Sequence, residues 1–421
     1  MRAPQALFAA RTFASLRRSR NYRLYFGGQL VSQVGTWLQG AAQSWMVLEL
    51  THSAVAVGLV SFWQFVPYTA LGLFGGALAD RFDRRRALML TQSALGACAV
   101  LLAAFALGHG RQMALVYAIA ALRGVVMILD NPARQALMVQ MVGRDELANA
   151  IALNAGLMNA TRVIGPGLAG LVIAAAGVGD CFALNAVSYV AVVIALAMMR
   201  PHEFHPMRLA GRVPMLETLR EGLRYARTTP RVWVPLALLT VISTVGINFS
   251  VLLPVLAAKT LDAGPEVYGL VTSVFGLGAL AGALVSASLG RPTWGMLLAS
   301  AAGFSAFELV LAPQRSLAVV LVCLVLVGLA YTMYTATTNT MVQLAAPDAL
   351  QGRVAGLYSY VFLGTSPPGA LLAGGLSQAG GTLAAFAVAG VAGLVASAAA
   401  LFTVRRSEPT GAPGEVVGPA P

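Results

Sequence analysis

A few charged residues lie inside long apolar stretches of this sequence, and they are the first candidates for chemistry. Arg123 and Asp130 share one such stretch, and Arg162 lies in the next. An arginine at the centre of a bilayer costs about 2.5–3.5 kcal/mol on insertion scales, so each arginine is expected to face a cavity or a partner. Two buried cations favour a site for an anionic or polar solute, or a proton relay. The alternative is a structural hydrogen bond to a neighbouring carbonyl oxygen.

Asp130 is the predicted proton-coupling residue of this site. Its seven-residue separation from Arg123 corresponds to about 10 Å along a helix, so no direct salt bridge between the two is expected. The other acids in or near the apolar stretches are Glu49, at the end of the first stretch, and Glu308, in the ninth, where a peripheral position is expected. The alternative is that Asp130 only takes part in a conformational latch.

Uncharged polar residues recur in the apolar stretches at helical spacing. Gln29, Gln33, Thr36, Gly40 and Gln43 are spaced so that they share one helix face. A polar face within a membrane must meet protein or water. Together with the charged residues above, the predicted lining of a substrate cavity comprises Gln29, Gln33, Thr36, Gln43, Asn159, Thr244, Asn248, Tyr331, Tyr334, Thr335 and Thr338. Trp45 is instead expected to anchor its helix at the lipid interface.

The elements that must position these residues are membrane-spanning helices. Only 10% of the 421 residues are charged and 58% are hydrophobic, whereas about 25% of a soluble protein is charged. A spanning helix needs about 20 mainly apolar residues. Twelve stretches meet that need, near residues 24–50, 55–79, 86–108, 112–133, 148–176, 181–199, 232–258, 267–290, 293–312, 316–340, 352–377 and 382–404.

The distribution of positive charge predicts the orientation in the membrane. Of the 28 basic residues, 23 lie at the two termini, in the central loop and in alternate short loops. Basic loops stay on the cytoplasmic side, so both termini and the central loop are expected to be cytoplasmic. This pattern also explains the net charge of +12 without a nucleic-acid partner, because a nucleic-acid surface gathers its charge on one water-facing element.

The segment at residues 75–86, between the second and third stretches, reads GGALADRFDRRR. Gly72 and Gly76 allow two helices to approach closely. Asp80 can accept hydrogen bonds from the N-terminus of a neighbouring helix, and Arg84 can bridge Asp80 to Asp130. The predicted latch therefore comprises Gly76, Asp80, Arg81, Arg84, Arg85 and Asp130. The alternative is that these residues only mark the membrane boundary.

The chain repeats itself at an offset of about 203 residues, which indicates two related halves. Met138-Val139-Gln140 recurs as Met341-Val342-Gln343, and Gly75 maps onto Gly278. The predicted organisation is a cytoplasmic segment at 1–23, a six-helix bundle at 24–199, a cytoplasmic linker with an amphipathic helix at 200–231, a second bundle at 232–404 and a disordered tail at 405–421. Gly165, Pro166 and Gly170 predict a helix break in the fifth stretch.

These motifs together resemble those of the major facilitator superfamily. Gly76-x-x-x-Asp80-Arg81-x-x-Arg84-Arg85 is similar to its signature between the second and third helices, and Asp83 stands where the family usually has glycine. The segment at 130–136, Asp-Asn-Pro-Ala-Arg-Gln-Ala, resembles the branch that contains enterobactin exporters and macrolide efflux proteins. The resemblance implies an all-α membrane protein of twelve helices in two pseudo-symmetric bundles, with the first, fourth, seventh and tenth helices lining the cavity.

The resemblance also implies a function, which is secondary active export rather than catalysis. The expected substrate is a small amphipathic metabolite, with a siderophore favoured, moved by alternating access and proton antiport. The alternatives are a multidrug or macrolide efflux pump and a lysophospholipid flippase. A monomer is expected, with protons and the lipid bilayer as partners and without a cofactor or metal. No phosphate-binding loop surrounds Lys259, the sole lysine, so ATP-driven transport is not expected.

Overall fold

The computed structural model describes residues 13–72, 81–206, 215–347 and 350–407, except for the side chains of 215–220 and Ser407. Regular structure in these ranges is helical, without strands, so the prediction of an all-α protein is confirmed. The helices of the first half are α1 (Arg20–Thr51), α2 (Ala54–Leu71), α3 (Arg84–Leu107), α4 (Met113–Val142), α5 (Leu147–Ala176) and α6 (Val178–Ala197). A short helix, Ala14–Arg18, precedes α1.

The second half follows a linker helix, Met215–Thr228. Its first element, α7, consists of Pro230–Val245, Phe249–Val255 and a π-helical turn at Leu256–Thr260. Next come α8 (Pro265–Leu289), α9 (Trp294–Leu311) and α10 (Leu317–Leu344). Helix α11 (351–379) contains a turn at Thr365. Gly380 and Gly381, whose backbone is not helical, separate it from α12 (382–407).

Ten stretches of the described residues are long and apolar enough to cross a membrane. One of them, Gln351–Arg406, has 56 residues and contains both α11 and α12. Helix α1 is not among the ten, because its polar face lowers its mean hydropathy. The chain is thus an all-helical membrane protein, and the count of twelve crossings stays a prediction. Helix α4 runs nine residues past its predicted end, because Pro132 is accommodated inside the helix.

The helices pack as two groups that meet along two seams. In the first group α3 packs on α4 and α6, and α1 packs on α5 and α6. In the second group α10 packs on α8 and α9, and α12 packs on α7 and α9. The seams join α2 to α11 and α5 to α8. Gly58 and Gly374 permit the first seam, since a Cβ atom on either would lie within 3 Å of backbone in the facing helix.

The fifth helix corrects one prediction, because α5 continues without interruption through Gly165, Pro166 and Gly170. The predicted helix break is therefore wrong. The glycines instead permit close contact: a Cβ atom on Gly170 would lie 2.9 Å from the Cα atom of Gly269 in α8, and one on Gly165 would lie 2.4 Å from the Cβ atom of Trp37 in α1. The motif therefore allows α5 to pack closely on α8, and it does not kink α5.

The linker helix docks on the second group. Its Tyr225 hydroxyl donates to the carbonyl of Ala345 at the end of α10, and Glu221 forms an ion pair with Arg353 near the start of α11. Ala226 of the linker helix is buried. A helix thus occupies part of the predicted linker, and it packs beside the end of α10 and the start of α11.

Candidate functional site

A cavity of about 430 Å³ lies between the two groups of helices. Helices α1, α2, α4 and α5 contribute to it from one side, and α7, α8, α10 and α11 from the other. The resemblance named α1, α4, α7 and α10, and Arg162 placed α5 at the cavity as well, whereas α2, α8 and α11 were not expected there. The wall combines two arginines and several amides with aromatic rings, namely Trp37, Phe65, Phe249, Tyr268, Phe275, Tyr331 and Phe362.

Arg123 reaches the cavity from the middle of α4, and its residue is only 6% exposed. Its Nη1 atom donates to Oε1 of Gln43 in α1 at 2.8 Å. The Gln39 amide lies within hydrogen-bond distance of both Arg123 and Asn185. These partners are neutral amides, so they orient the guanidinium without neutralising its charge. The positive charge is therefore available to a solute in the cavity.

Arg162 lines the same cavity from α5. Its guanidinium carbon lies 6.0 Å from the centroid of the Trp37 ring, which is a distance for a cation–π contact. Tyr331 of α10 is near enough for electrostatic interaction with it. Arginine stacks on aromatic faces and also binds carboxylates in a planar, bidentate manner. The Arg162–Trp37 pair thus offers both a charged and an aromatic surface to one ligand.

Asp130 does not line the cavity, and a local network holds it instead. Its residue is 3% exposed, and its Oδ1 atom accepts hydrogen bonds from Thr91 at 2.6 Å and from Gln92 at 2.7 Å. Its Oδ2 atom accepts from Nη2 of Arg134 at 2.7 Å. Arg134 was not among the predicted site residues, although the spacing of four residues on one helix could have indicated the pair. The expected absence of an Arg123–Asp130 salt bridge agrees with these separate partners.

The predicted latch is only partly within the described residues, because Gly76 and Asp80 lie outside them. Arg81 is exposed and Arg84 is half-buried. Arg85 donates to the carbonyls of Leu196 and Ala197 at 2.6 and 2.8 Å, which places its charge at the C-terminus of α6. Asp83 caps α3 by accepting from the Arg86 amide at 2.8 Å. These contacts give Asp83 and Arg85 structural roles in joining α3 to its surroundings.

The predicted polar residues divide into two sets by position. Thr36, Gln43, Asn248 and Tyr331 line the cavity with the two arginines. The remainder lie elsewhere: Gln33 contacts Met158 of α5, and Asn159, Thr244 and Thr335 hydrogen-bond to carbonyls of their own helices. Gln29, Tyr334 and Thr338 are buried away from the cavity. The polar face predicted from helical spacing is thus longer than the segment of the helix that lines the cavity.

Helix α7 is interrupted beside the cavity, a feature that the sequence reading missed. Residues 246–248 leave the α-helical pattern, and Ile247 and Asn248 line the cavity at this point. The Asn248 side-chain amide donates to the carbonyl of Thr244 at 2.9 Å, which satisfies one group freed by the break. Irregular backbone at membrane depth is tolerated where it is buried in protein or lines a water-filled cavity. The signal was present in the sequence as Gly246 and Asn248 inside an apolar stretch.

The two helix groups also touch at the end of the molecule opposite the start of α1. There Nζ of Lys259 donates to the His52 carbonyl at 2.8 Å, and the Ala54 amide donates to Oε1 of Gln378 at 2.9 Å. Deeper on this side, Trp45 of α1 stacks on Tyr268 of α8 with ring centroids 5.6 Å apart. Trp45 is only 8% exposed, so its predicted lipid-anchoring role is wrong. These contacts join the two helix groups on this side of the cavity.

Comparison with known sequences finds a family and several named relatives. The model of the transmembrane secretion effector family matches residues 10–412. The staphyloferrin A transporter of Staphylococcus aureus is 24% identical over 378 residues, which cover 88% of this chain and 92% of that protein. The enterobactin exporter of Shigella boydii is 30% identical over 367 residues, which cover 84% of this chain and 85% of the exporter.

Comparison with solved structures finds the same fold at lower sequence identity. A bacterial homologue of the human lysosomal transporter Spinster, in an inward-facing conformation, superposes with a TM-score of 0.72 at 14% identity, over 92% of this chain and 97% of that one. A D-xylose–proton symporter superposes with a TM-score of 0.69 at 14% identity, over 90% of this chain and 97% of that one. These likenesses establish the architecture around the cavity.

Proposed function

This chain belongs to the transmembrane secretion effector family of major facilitator transporters, and we propose that it exports a small amphipathic metabolite, with a siderophore as the favoured class. The relatives that carry siderophore names cover more than four fifths of the chain, which supports this class of substrate. The proposed location is the bacterial inner membrane, with both termini in the cytoplasm and the chain acting as a monomer.

The observation that carries the proposal is the charge of the cavity. Arg123 and Arg162 line it, and no carboxylate occurs among the described residues of its wall. An apolar cavity with a few fixed polar groups suits a small organic ligand. Uncompensated guanidinium groups select an anion, and the aromatic rings around them select a ligand with apolar or aromatic faces. Catecholate siderophores combine both properties, and carboxylate siderophores supply the anionic groups.

The proposed transport cycle is alternating access about this cavity. The contacts of Lys259, Ala54 and Trp45 with the facing group are proposed to close one side of the cavity. Rocking of one helix group against the other about the α2–α11 and α5–α8 seams would open that side and close the other. The latch that includes Asp80 and Arg84 is proposed to hold the cytoplasmic side closed in the second state.

Protons are the proposed coupling ion, and Asp130 is the coupling residue proposed from the sequence. Its carboxylate is buried, ion-paired with Arg134 of the same helix and hydrogen-bonded to Thr91 and Gln92 of α3. A proton arriving there would weaken the contacts that hold α4 to α3. Because Asp130 and Arg123 share α4, a change at one can reach the substrate cavity through a single helix.

The test is transport by the purified protein in proteoliposomes. An imposed pH gradient, with the lumen acidic, should drive accumulation of radiolabelled enterobactin by protein inserted with its cytoplasmic face outward. Excess unlabelled staphyloferrin A, a macrolide and a lysophospholipid are then added as competitors in separate arms. Competition by the siderophore alone supports the proposal, competition by the macrolide supports a drug pump, and competition by the lysophospholipid supports a flippase. The absence of gradient-driven accumulation of labelled enterobactin contradicts its export by proton antiport.

A further inference from the structure

Glu308 is a buried carboxyl that the transport scheme above does not use. It lies one turn before the end of α9, and none of its residue surface is exposed. Neither of its carboxyl oxygens has a hydrogen-bond partner among the described residues. A carboxylate placed in apolar surroundings without hydrogen bonds or a counter-charge is very costly. A residue of this kind inside a membrane is a functional candidate in its own right.

Among the helices that the structure places around Glu308, none contributes a compensating charge beside its carboxyl. Helix α9 packs on α10 and α12 and contacts α7. Helix α10 has no charged residue, α12 has only Arg405 and Arg406 at its far end, and α7 has only Arg231 and Lys259 near its two ends. The titratable groups that α10 contributes are Cys323, Tyr331 and Tyr334. Thiol and phenol groups are ordinarily neutral near pH 7, so none of them neutralises a carboxylate.

The carboxyl of Glu308 contacts the break in α7. A Cβ atom added to Gly246 would lie 2.9 Å from its Oε2 atom, so the absence of a side chain at Gly246 makes room for the carboxyl. Gly246 is followed directly by Ile247 and Asn248, which line the substrate cavity, and Ser243, one turn earlier, lines it too. The broken segment of α7 therefore lies between Glu308 and the cavity wall.

We propose that Glu308 is a proton-binding site of the transporter and that the break in α7 links it to the substrate cavity. When the carboxyl is protonated, it fits its apolar pocket against Gly246. When the proton leaves, the carboxylate requires water or a polar partner, which the broken backbone at 246–248 can supply only by rearranging. That rearrangement moves Ile247 and Asn248 in the cavity wall. Proton release and the shape of the cavity are thus coupled over one short segment.

This inference rests on the proposed function for its role in export, but proton binding itself can be tested without a substrate. Infrared difference spectra of the purified protein between acidic and alkaline buffer should contain the C=O band of a protonated carboxyl. We expect the Glu308→Gln variant to lose this band and the control Glu49→Gln, which removes an exposed acid of α1, to keep it. Gly246→Ala should shift the frequency of the band, because the added methyl group contacts the carboxyl. Identical spectra for wild type and Glu308→Gln overturn the proposal.

The transport test distinguishes loss of the proton site from loss of the transporter. One pH unit can drive about a tenfold accumulation in a one-for-one exchange with protons. Glu308→Gln should lose this accumulation of enterobactin, yet keep the exchange of labelled for unlabelled enterobactin without a gradient. Unchanged accumulation overturns the coupling role of Glu308, and so does equal loss of both activities. If wild type transports no probe while the infrared band depends on Glu308, the proposed function fails and the proton site stands.

Discussion

The two helix groups bury their charged residues in different ways. In the first group Arg123 is held by Gln43, and Asp130 is paired with Arg134. In the second group the buried Glu308 has no hydrogen-bond partner within the described residues. The offset of 203 residues makes the contrast specific, because Arg123 maps onto Leu326 and Asp130 onto Met333, whereas Glu308 maps onto Phe105. Gln43, the partner of Arg123, maps onto Gly246, the neighbour of Glu308. Corresponding places in the repeat thus carry different chemistry.

The cavity wall shows the same contrast. The first group supplies both arginines of the wall. The second supplies a cluster of rings in which Phe249 lies 4.3 Å from Phe275 and 6.1 Å from Tyr331, measured between centroids. A ligand that spans the cavity would therefore meet both cations on one side, with Trp37 beside Arg162, and an uncharged cluster of aromatic rings on the other. This division suggests that the first group recognises the charge of the substrate and the second senses protons and apolar surface.

The largest effect is expected from removing Arg123, which tests whether the two helix groups differ in function. Arg123→Ala should lower enterobactin transport roughly 10- to 150-fold, the equivalent of about 1.5–3 kcal/mol for a hydrogen bond to a charged group. Initial rates in proteoliposomes measure the effect. The matched control is Leu326→Ala at the corresponding position of the second group, where transport should stay near the wild-type rate. Equal losses in the two variants would mean that the repeat positions are equivalent, and an unaffected Arg123→Ala variant would make the arginine structural.

A second variant separates the paired acid from the unpaired one. Asp130→Asn should lower stability by about 1–3 kcal/mol, because it leaves the partly buried Arg134 without its counter-charge. Thermal unfolding in detergent measures this loss, with Asp145→Asn, which removes an exposed loop acid, as the control. The pH dependence of export should also flatten if Asp130 carries protons. A pH profile that matches wild type would leave coupling to Glu308 and make Asp130 a purely structural residue.

The Arg162–Trp37 contact sharpens the division of the cavity wall. Trp37→Leu keeps the apolar packing against Gly165 but removes a cation–π contact of about 0.5–2 kcal/mol. We expect the apparent affinity for enterobactin, which is aromatic, to fall several-fold, and that for the aliphatic staphyloferrin A to change less. Competition curves with both compounds measure the difference. Equal effects on the two compounds would show that Trp37 only shapes the cavity.

The parts of this architecture that were predictable from sequence are those that the bilayer dictates. Burying a charge is costly, so Arg123 and Arg162 had to face the cavity or a partner, and both line the cavity. Spanning helices follow from length and hydropathy in the same way. The break in α7, the surroundings of Glu308 and the burial of Trp45 depend on which helices pack together. A single sequence does not encode that packing as a local pattern. At Gly165 and Pro166 the sequence predicted a helix break that the structure lacks, since a proline can stay within a helix when neighbouring helices support it.

The smallest predicted effect concerns the contact that joins the two groups on the closed side. Lys259→Ala removes the hydrogen bond to the His52 carbonyl, which is exposed and should contribute about 0.5 kcal/mol. The closed state should then lose about twofold in population relative to the open one. Spin labels on Thr51→Cys and Asp262→Cys can report this shift as a longer distance between the groups, since the native Cys98, Cys181 and Cys323 are buried.

The matched control for this contact is Arg315→Ala, which removes a basic residue from the α9–α10 loop within a single group. Its distance distribution should match that of the wild-type background. If Lys259→Ala also leaves the distribution unchanged, the closed side is held by buried contacts such as Trp45 on Tyr268 rather than by its surface. If both variants shift the distance distribution equally, the shift reflects the loss of surface charge and not the loss of the Lys259–His52 contact. Only a shift confined to Lys259→Ala indicates that the contact between the two groups contributes to closure.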